Sequence, residues 1–551
     1  MKSNNKLFFR SLLIVLFSLT ITVSCDNDFL ERNDPAAPTT DGFFQTADDF
    51  VLGVDGIYAS LFNHDYMSQF WGGYYFYGFY EYDGVTDNAV SQANWYGGIS
   101  NLGLGSATPL TGGILHYKWD YGLKSLVKIN TMLSYMPNID FGSEGGAKWE
   151  AELRFLRGYL YADMGFLYGG VPLFDKPLTP EEAASIKRST QDEVMNFAFD
   201  DLKFAAENLG VTPNKNQIGR PTSNAAYAAL GTAYMYVSDY QKAKEAFEKV
   251  VLNEGASVDL AHIDEWEGLF RGTQEDNKEI LWSIQFTGDG EGQGDYVPYG
   301  PIASGNGPFY SGWGGMPWTK DLISSFQTTD GKFIDDLSNT LYDANDPLKN
   351  RDPRLRKSFY FPGDVFSQDF PDDVLTETQL NPFFGTFDFD DLENNGLYGC
   401  LPRKMVPMTT QQADNTAAAE TMFSNTADII LLRYTDVLLL HAEASNQLND
   451  QSAALASLNK VRTRANMPTI SSGMTKTELD AVIMNERRVE FVGEAKRFYD
   501  LKRRGILKQE LNSNLGWDAI YSGAKYKDHY DLWPIPQLSV DINGFSQNPG
   551  Y

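Results

Sequence analysis

Apolar side chains recur every three or four residues in several stretches of this chain, and such spacing predicts amphipathic α-helices. The clearest early stretches are residues 47–62, 113–136 and 148–168. A later apolar stripe follows one face of a predicted helix through Ile430, Tyr434, Val437, His441, Ala444 and Leu448. Residues 452–466 form its predicted partner helix, and residues 475–504 form one or two more. The pattern therefore predicts a mainly α-helical protein, in which His441 is packed.

One helical hairpin carries the spacing of a tetratricopeptide (TPR) repeat, a unit of 34 residues. Leu230, Gly231 and Tyr234 are followed by Ala243 and Phe247 at the offsets of that repeat. In such a unit the glycine lets two helices approach closely, while the larger side chains fill the seam between them. The alternative is a helical hairpin that matches the repeat by coincidence.

Residues 285–427 differ from the rest of the chain. Gly, Pro, Asn and Asp are dense there, helical periodicity is scarce, and short aromatic clusters recur. Long loops held by a rigid scaffold are often functional. We therefore predict a single domain at residues 42–551, in which a TPR-type helical-repeat scaffold carries a large loop-rich irregular lobe. The TPR-like helices are expected within residues 148–252 and 428–505, and the lobe is expected to bind the ligand.

The N-terminus has the pattern of a lipoprotein leader. Lys2, Lys6 and Arg10 precede an apolar run at residues 12–23, which is too short to cross a bilayer as a helix. The run ends at a small residue directly before Cys25, as a lipoprotein signal peptidase requires. We predict that residues 1–24 are removed, that Cys25 is acylated, and that residues 25–41 form a flexible tether. An ordinary signal peptide with an incidental cysteine is the alternative.

Charge and cysteine content narrow the possible functions. The chain has 45 Lys and Arg against 73 Asp and Glu, a net charge of −28, which argues against a nucleic-acid partner. Cys25 and Cys400 are the two cysteines. Because Cys25 is assigned to lipid, no intrachain disulfide is expected. Glu494–Arg497, Lys496–Asp500 and Asp500–Arg504 have the three- and four-residue spacing of local ion pairs on a helix.

No enzyme signature is present in the sequence. We find no Gly-x-Ser-x-Gly elbow, no His-Glu-x-x-His motif and no phosphate-binding loop, and the five histidines are dispersed. Residues 289–294 imitate the start of a calcium loop, but Gly300 stands where its bidentate carboxylate would be. We therefore predict a protein that is not an enzyme and has no cofactor or metal.

A series of short motifs spans nearly the whole chain after the leader. These motifs are CDNDFL (25–30), AELRFLR (151–157), YGGVPL (168–173), NRDPRL (350–355), LRYTDVLL (432–439) with Glu443, NKVRTRA (459–465), ERRVE (486–490), RFYDL (497–501), LWPIP (532–536) and QNPGY (547–551). In these motifs the sequence resembles the SusD/RagB family of outer-membrane nutrient-binding lipoproteins.

The resemblance implies a TPR-containing scaffold on the cell surface that caps a TonB-dependent outer-membrane transporter. In such pairs the lipoprotein acts as a hinged lid that captures a ligand, often a glycan, and delivers it to the pore. A lid that handles peptides, or that is primarily structural, is the alternative. Most motif residues are expected to be structural: we predict that Arg433, Glu443, Glu486, Arg487 and Asp500 are paired, and that residues 533–536 dock on the core.

A glycan site should combine aromatic rings, which stack on the C–H faces of sugars, with polar side chains on loops. Residues 66–82 contain 10 aromatics in 17 positions, although core or transporter-facing surface is an alternative role for them. Two further aromatic segments lie at residues 94–101 and 296–318. The candidate ligand-binding residues are Tyr77, Asp83, Trp95, Tyr96, Asn101, Tyr296, Tyr299, Trp313 and Trp318.

Overall fold

The structure is a computed structural model, and it describes residues 44–61, 81–91, 98–142, 145–212, 218–285, 316–365, 374, 396–404 and 428–551. The leader, Cys25 and the tether lie outside these residues, as do residues 289–294.

The described helices fall into two groups along the chain. The first group comprises α1 (Ala47–Leu61), α2 (Ser100–Gly103), α3 (Ile114–Tyr135), α4 (Ala147–Tyr168), α5 (Pro180–Ser185), α6 (Gln191–Asn208), α7 (Ser223–Tyr236), α8 (Tyr240–Val251) and α9 (Trp266–Phe270). The second comprises α10 (Lys320–Ser325), α11 (Pro353–Ser358), α12 (Tyr434–Gln447), α13 (Gln451–Arg464), α14 (Lys476–Glu490), α15 (Lys496–Arg503), α16 (Leu507–Asn512), α17 (Leu515–Tyr521) and α18 (Gln537–Asn543). Short 3-10 helices lie at Met136–Asn138 and Asp528–Asp531.

Short strands pair residues that are far apart in the chain. They are β1 (Ile280–Ile284), β2 (Trp318–Thr319), β3 (Phe359–Tyr360), β4 (Leu397–Tyr398), β5 (Leu401–Pro402) and β6 (Ile429–Arg433). The pairs β1–β6, β2–β4 and β3–β5 are all antiparallel. In the longest pair Trp282 lies opposite Leu432 and Ile284 opposite Ile429. This pairing brings together the two ends of the segment that runs from residue 285 to residue 428.

The helices stack as a succession of hairpins. The pairs α4–α6, α7–α8 and α12–α13 pack internally, α6 packs on α7, and α8 packs on α12. At the N-terminal end α1 packs on α3 and α3 on α4, while α14 packs on α12 at the other end. This arrangement confirms the predicted mainly α-helical fold with a TPR-like scaffold.

The glycine of the TPR pattern has the role that the pattern predicts. A Cβ at position 231 would collide with the ring of Phe247, so α7 and α8 can approach this closely only with glycine there. Gly158 has the same role where α4 meets α6, since a Cβ there would lie 2.9 Å from Leu202 Cγ and 3.0 Å from the carbonyl oxygen of Ala198. The α7–α8 contact and the α4–α6 contact therefore each depend on one helix-interior glycine.

The α7–α8 and α12–α13 hairpins turn in the same way. Ser238 and Asn449 adopt left-handed backbone angles, with φ of 58° and 63°, and an aspartate follows each of them. Asp239 accepts a hydrogen bond from the Lys242 amide at 3.2 Å, and Asp450 caps α13 in the same manner. Each turn thus ends one helix and caps the next within a connection of three residues, 237–239 and 448–450.

The packed role predicted for His441 is confirmed. Its ring is 6% exposed, and its Nδ1 lies 2.8 Å from Ser457 Oγ on the partner helix α13. Burial lowers the pKa of this imidazole.

Glu490, at the end of α14, is the centre of a buried ion-pair network. Its carboxylate accepts hydrogen bonds from Arg354 and Arg433 at 2.8 Å each, and from Arg464. Trp266 Nε1 donates to it at 3.1 Å. Burial alone would raise the pKa of Glu490, but the three guanidinium groups outweigh burial and hold the pKa well below its usual range.

The predicted pairing of the motif residues is confirmed. Arg487 donates to Asp436 at 2.9 Å and to Asp500 at 2.8 Å, while Glu443 pairs with Arg503 at 2.5 Å. In the same way Arg433 pairs with Glu490, while Glu486 accepts a hydrogen bond from Arg462 and forms an ion pair with Arg354.

The local pairs expected from helical spacing do not form among the described residues. Glu494 instead pairs with Arg433 and Lys404, each at 2.7 Å, and Lys496 pairs with Asp436 at 2.9 Å. Long-range partners are preferred because these side chains face the core, where an unpaired charge is costly.

The chain end docks on the core, as predicted. Trp533 is fully buried, and its amide donates to the carbonyl of Leu167 at 2.8 Å. Asn548 Nδ2 donates to the carbonyls of Tyr168 and Trp533 at 3.0 and 2.7 Å. The last residues are thereby held against the end of α4.

Across the described ranges, the helices include none with the length and apolar character needed to cross a bilayer.

Gly231→Ala tests the hairpin seam. We expect it to lower the free energy of unfolding by about 1–3 kcal/mol, because the added methyl group overpacks the contact with Phe247. Gly56→Ala is the matched control, since a Cβ there has no neighbour within 4 Å. At this exposed position of α1 the change should stabilise the protein by about 0.5–1 kcal/mol, because alanine favours the helix over glycine. Denaturant unfolding of both variants measures the effects; equal responses would contradict the seam.

Candidate functional site

The predicted ligand-binding residues divide into two sets. Tyr77, Trp95, Tyr96, Tyr296, Tyr299 and Trp313 lie outside the described residues. Asp83, Asn101 and Trp318 lie within them, together with the chain on either side of the aromatic segments.

The described stretches that adjoin two of the aromatic segments lie side by side. Ala89 and Trp318 form an antiparallel bridge, and the Val90 amide donates to the carbonyl of Pro317 at 2.9 Å. The Thr319 amide donates to the carbonyl of Asn88 at 2.9 Å. Since β2 also pairs with β4, residues 87–91, 316–319 and 396–398 form one small sheet, which we call the stem platform.

The stem platform adjoins two of the aromatic segments that the sequence predicts to bind the ligand. The segment with Trp95 and Tyr96 leaves the platform after Ser91, and the segment with Trp313 returns to it at Met316. The sequence suggested both segments by composition alone. The structure adds that they are attached to neighbouring strands more than 200 residues apart in the chain.

Trp318 is a core residue of this platform. Its side chain has no exposed surface, and its ring contacts Phe359 edge-on with centroids 5.2 Å apart. A fully enclosed ring offers no face to a sugar, so this placement favours a structural role. Sequence reasoning grouped Trp318 with the loop aromatics because it follows a Gly-rich stretch, and composition does not mark where a loop ends and a strand begins.

Asp83 is also fully buried, at the start of the chain leading to the platform. One carboxylate oxygen accepts from the Gly493 amide at 2.7 Å, and the other accepts from Asn88 Nδ2 at 3.1 Å. Burial raises the pKa of Asp83 to about 7, against these two hydrogen bonds, which lower it. Asp83 therefore fixes the backbone rather than presenting a carboxylate to solvent.

Two arginines that the site prediction did not include attach the platform to the scaffold. Arg497 of α15 makes a two-pronged contact with the Asp87 carboxylate, at 2.9 and 2.7 Å. Arg488 of α14 donates to Asn88 Oδ1 at 2.8 Å and to Asp321 Oδ2 at 2.7 Å. Burial opposes ionisation of Asp87, but Arg488 and Arg497 hold its pKa well below its usual range.

Arg488 contacts residues next to two strands of the platform, because Asp321 of α10 lies two residues after β2 and Asn88 belongs to the platform stretch that leads to the Trp95 segment. Both arginines belong to charged motifs that are visible in the sequence. Their partners could not be found from spacing, because Asp87 lies 410 positions before Arg497.

Asn101 lies in the neighbourhood of the platform and is partly exposed. Its side chain donates to Ser106 Oγ at 2.9 Å within the turn after α2. Gly103 of α2 packs so closely on the ring of Trp517 of α17 that a Cβ at position 103 would collide with it. Gly516, also in α17, packs on the platform in the same way, since a Cβ there would lie 2.6 Å from Leu397. Helix α17 therefore lies between α2 and the platform.

Among the residues that the structure describes, no three His, Cys, Asp or Glu side chains converge to form a metal site. The described part of the candidate site is instead a rigid base, held by backbone pairing and buried guanidinium groups. Such a base fixes the position of one end of each of the two aromatic segments, at Ser91 and at Met316.

Two family models match the chain. One, described as the SusD family, matches residues 278–551. The other, described as starch-binding associating with outer membrane, matches residues 84–235. The chain belongs to the SusD family. The matches include the platform strands and most of the helical hairpins, and they confirm the resemblance found in the motifs.

Relatives of this SusD-family chain match along nearly its whole length. A SusD-like protein of Formosa agariphila is 25% identical over 507 residues, which are 89% of this chain and 90% of that protein. A crystal structure of a SusD-like protein from Bacteroides fragilis has a TM-score of 0.75 and 22% identity, over 95% of this chain and 99% of that one. Surface glycan-binding protein A from Bacteroides thetaiotaomicron, solved in complex with laminarihexaose, has a TM-score of 0.66 and 20% identity, over 91% and 99% of the two chains.

Asp83→Asn tests the buried carboxyl through pH. With a pKa of about 7, folded Asp83 keeps its proton between about pH 4 and 7, whereas the unfolded chain loses it near 3.8. The folded state thus binds more protons in this window, and the contribution of Asp83 to stability falls as pH rises, by at most about 1.4 kcal/mol per pH unit. Relative to the wild type, Asp83→Asn should therefore become progressively more stable from pH 5 to about pH 7, and the gain should level off by pH 8.

Melting temperatures of both proteins across that range provide the measurement. Exposed Asp335→Asn is the control, and its curve should run parallel to the wild type. A parallel curve for Asp83→Asn would contradict the assignment.

Proposed function

We propose that this SusD-family protein is a surface-exposed outer-membrane lipoprotein that binds a glycan or oligosaccharide. The observation that carries the proposal is the stem platform, because it anchors two aromatic-rich segments on adjacent strands. Family membership supports it, and so do structural relatives, which include a laminarin-binding SusD-like protein with a TM-score of 0.66 and 21% identity.

The ligand contacts we propose are the loop aromatics Trp95, Tyr96, Tyr296, Tyr299 and Trp313. Trp95 is four residues from Ser91, and Trp313 is three residues from Met316, so chain length keeps both near the same edge of the platform. Indole and phenol rings stack on the C–H faces of sugars, and nearby polar groups bind the hydroxyls.

Asn101 and Tyr77 are proposed as supporting contacts. Asn101 is partly exposed on α2, beside the residues that follow the Trp95 segment. Its amide donates to Ser106, which leaves further hydrogen-bonding capacity for a sugar hydroxyl. Asp83 and Trp318 are assigned to positioning the platform, since both are fully buried.

We further propose that the protein delivers its ligand to a TonB-dependent transporter and is held at the outer membrane by acylated Cys25. Binding without catalysis is the proposed activity, so incubation with a glycan should release no reducing ends. A lid that handles peptides or is mainly structural remains the second candidate, because it uses the same fold.

Trp95→Ala and Trp313→Ala test the site. The soluble form beginning after Cys25 would be screened against laminarin, starch, other polysaccharides and peptides by native-gel retardation, with calorimetry for any hit. Each substitution should weaken glycan binding about five- to tenfold or more, since a stacked ring contributes on the order of 1 kcal/mol or more. Phe333→Ala removes an exposed aromatic residue that belongs to none of the candidate aromatic segments, so this control should bind as the wild type does.

Other outcomes separate the alternatives. A glycan that binds all three variants equally would keep the ligand class but move the site. Binding to peptides alone would replace the glycan proposal with the second candidate. Silence towards every ligand would require the transporter for a complete site and would overturn the proposal for the isolated protein.

Cys25→Ser tests the anchor separately. We expect the wild-type protein to incorporate labelled palmitate and to sediment with membranes, because two or more acyl chains hold a protein stably in a bilayer. The variant should lose the label and enter the soluble fraction. Label on the variant would contradict the assignment of Cys25.

A further inference from the structure

A cavity of about 80 Å³ lies inside the helical scaffold, apart from the stem platform. Helices α3, α4, α7, α12 and α15 all contribute to its wall. The cavity therefore lies between helices of the N-terminal half of the chain and helices of the C-terminal half. Its polar lining includes Tyr82, Lys118, Asp163, Tyr236 and Tyr499.

Asp163 is the polar centre of this cavity. Lys118 Nζ lies 2.7 Å from one carboxylate oxygen, and the Tyr499 hydroxyl donates to the other at 2.7 Å. The charges of Lys118 and Asp163 balance, as do those of Lys496 and Asp436 at 2.9 Å on another wall. The lining therefore favours a neutral guest over an ion.

Tyr82 faces the cavity with a hydroxyl group that makes no hydrogen bond of good geometry among the described residues, although the Tyr499 ring lies beside it with centroids 5.5 Å apart. The side chain is 3% exposed, and its ring packs against Phe498 and Trp533 with centroids 5.1 and 6.1 Å apart. Phenylalanine would make the same ring contacts. Water in the cavity would supply the hydrogen bond that the described residues do not give this buried hydroxyl.

We infer that this cavity holds a cluster of ordered water molecules, hydrogen-bonded to the hydroxyl of Tyr82 and to the polar groups around the Asp163 carboxylate. A buried water needs about 10–15 Å³ and two to four polar partners, so the volume suits roughly five waters. The tyrosine hydroxyls, the ammonium group and the carboxylate supply both donors and acceptors. The cluster would add water-mediated links between the α3–α4 side of the scaffold and the α12–α15 side to the direct hydrogen bond from Tyr499 to Asp163.

Tyr82→Phe tests the inference through the sign of its effect. If water binds the hydroxyl, the variant loses hydrogen bonds, and the melting temperature should fall by about 1–4 °C. If the cavity were dry, removing an unsatisfied hydroxyl would leave the melting temperature unchanged or raise it, and the inference would be overturned. Tyr168→Phe gives the scale, because its buried hydroxyl donates to the Leu115 carbonyl at 2.7 Å.

A crystal structure of the wild-type protein at 1.8 Å or better provides an independent measurement. Separate density peaks within about 3.2 Å of the Tyr82 hydroxyl support the water cluster. Continuous density for one larger molecule would overturn it in favour of a small-molecule ligand, and the absence of peaks would overturn it in favour of a dry cavity.

Discussion

The buried carboxylate of Glu490 is the constraint on which the rest of the structure depends. Arg354 comes from α11, Arg433 from the end of β6 and Arg464 from α13, and all three meet this one side chain. Removing charges from water is costly, and such a group is tolerated only when its partners are all present. The network therefore acts as a condition on the fold: α11, β6, α13 and α14 must assemble in one arrangement or leave charges unpaired in the core.

The same logic extends from the scaffold to the stem platform. Arg488 is two residues before Glu490 on α14, and it points to the platform instead of the network. One helix thus holds the hairpin stack on one side and the roots of the aromatic segments on the other. Variation in the loops can proceed on such a base without disturbing the packing beneath, which suits a family whose members bind different ligands.

Helical periodicity was sufficient to predict much of this scaffold. The apolar stripe from Ile430 to Leu448 predicted α12 (Tyr434–Gln447), but its first residue, Ile430, lies in strand β6 and not in the helix. The TPR offsets placed Gly231 against Phe247, because that signal is local in the chain. Charge pairing was not predictable in the same way. Glu494 and Arg497 have helical spacing, yet their partners are Arg433, Lys404 and Asp87, since long-range topology decides which charges meet in the core.

The candidate site shows the same division. Composition identified the aromatic segments but could not separate Trp318, which pairs into strand β2, from Trp313, five residues earlier. Nor could composition show that Asp83 is enclosed, because its partners are a backbone amide at Gly493 and a side chain at Asn88. Enclosure is a property of the assembled core, and a single sequence carries it only indirectly.

Docking of the last residues on α4 has a consequence for the order of folding. The hairpins α4–α6 and α7–α8 are built from neighbouring stretches and can form as soon as those stretches are available. Trp533 and Asn548, however, bind the carbonyls of Leu167 and Tyr168, and Arg497 binds Asp87, so closure joins residues several hundred positions apart. Contacts of such sequence separation form slowly. The N-terminal hairpins must therefore keep the end of α4 uncovered, with its apolar surface exposed, until nearly the whole chain has emerged, and this is the interval in which the nascent protein has most need of a chaperone.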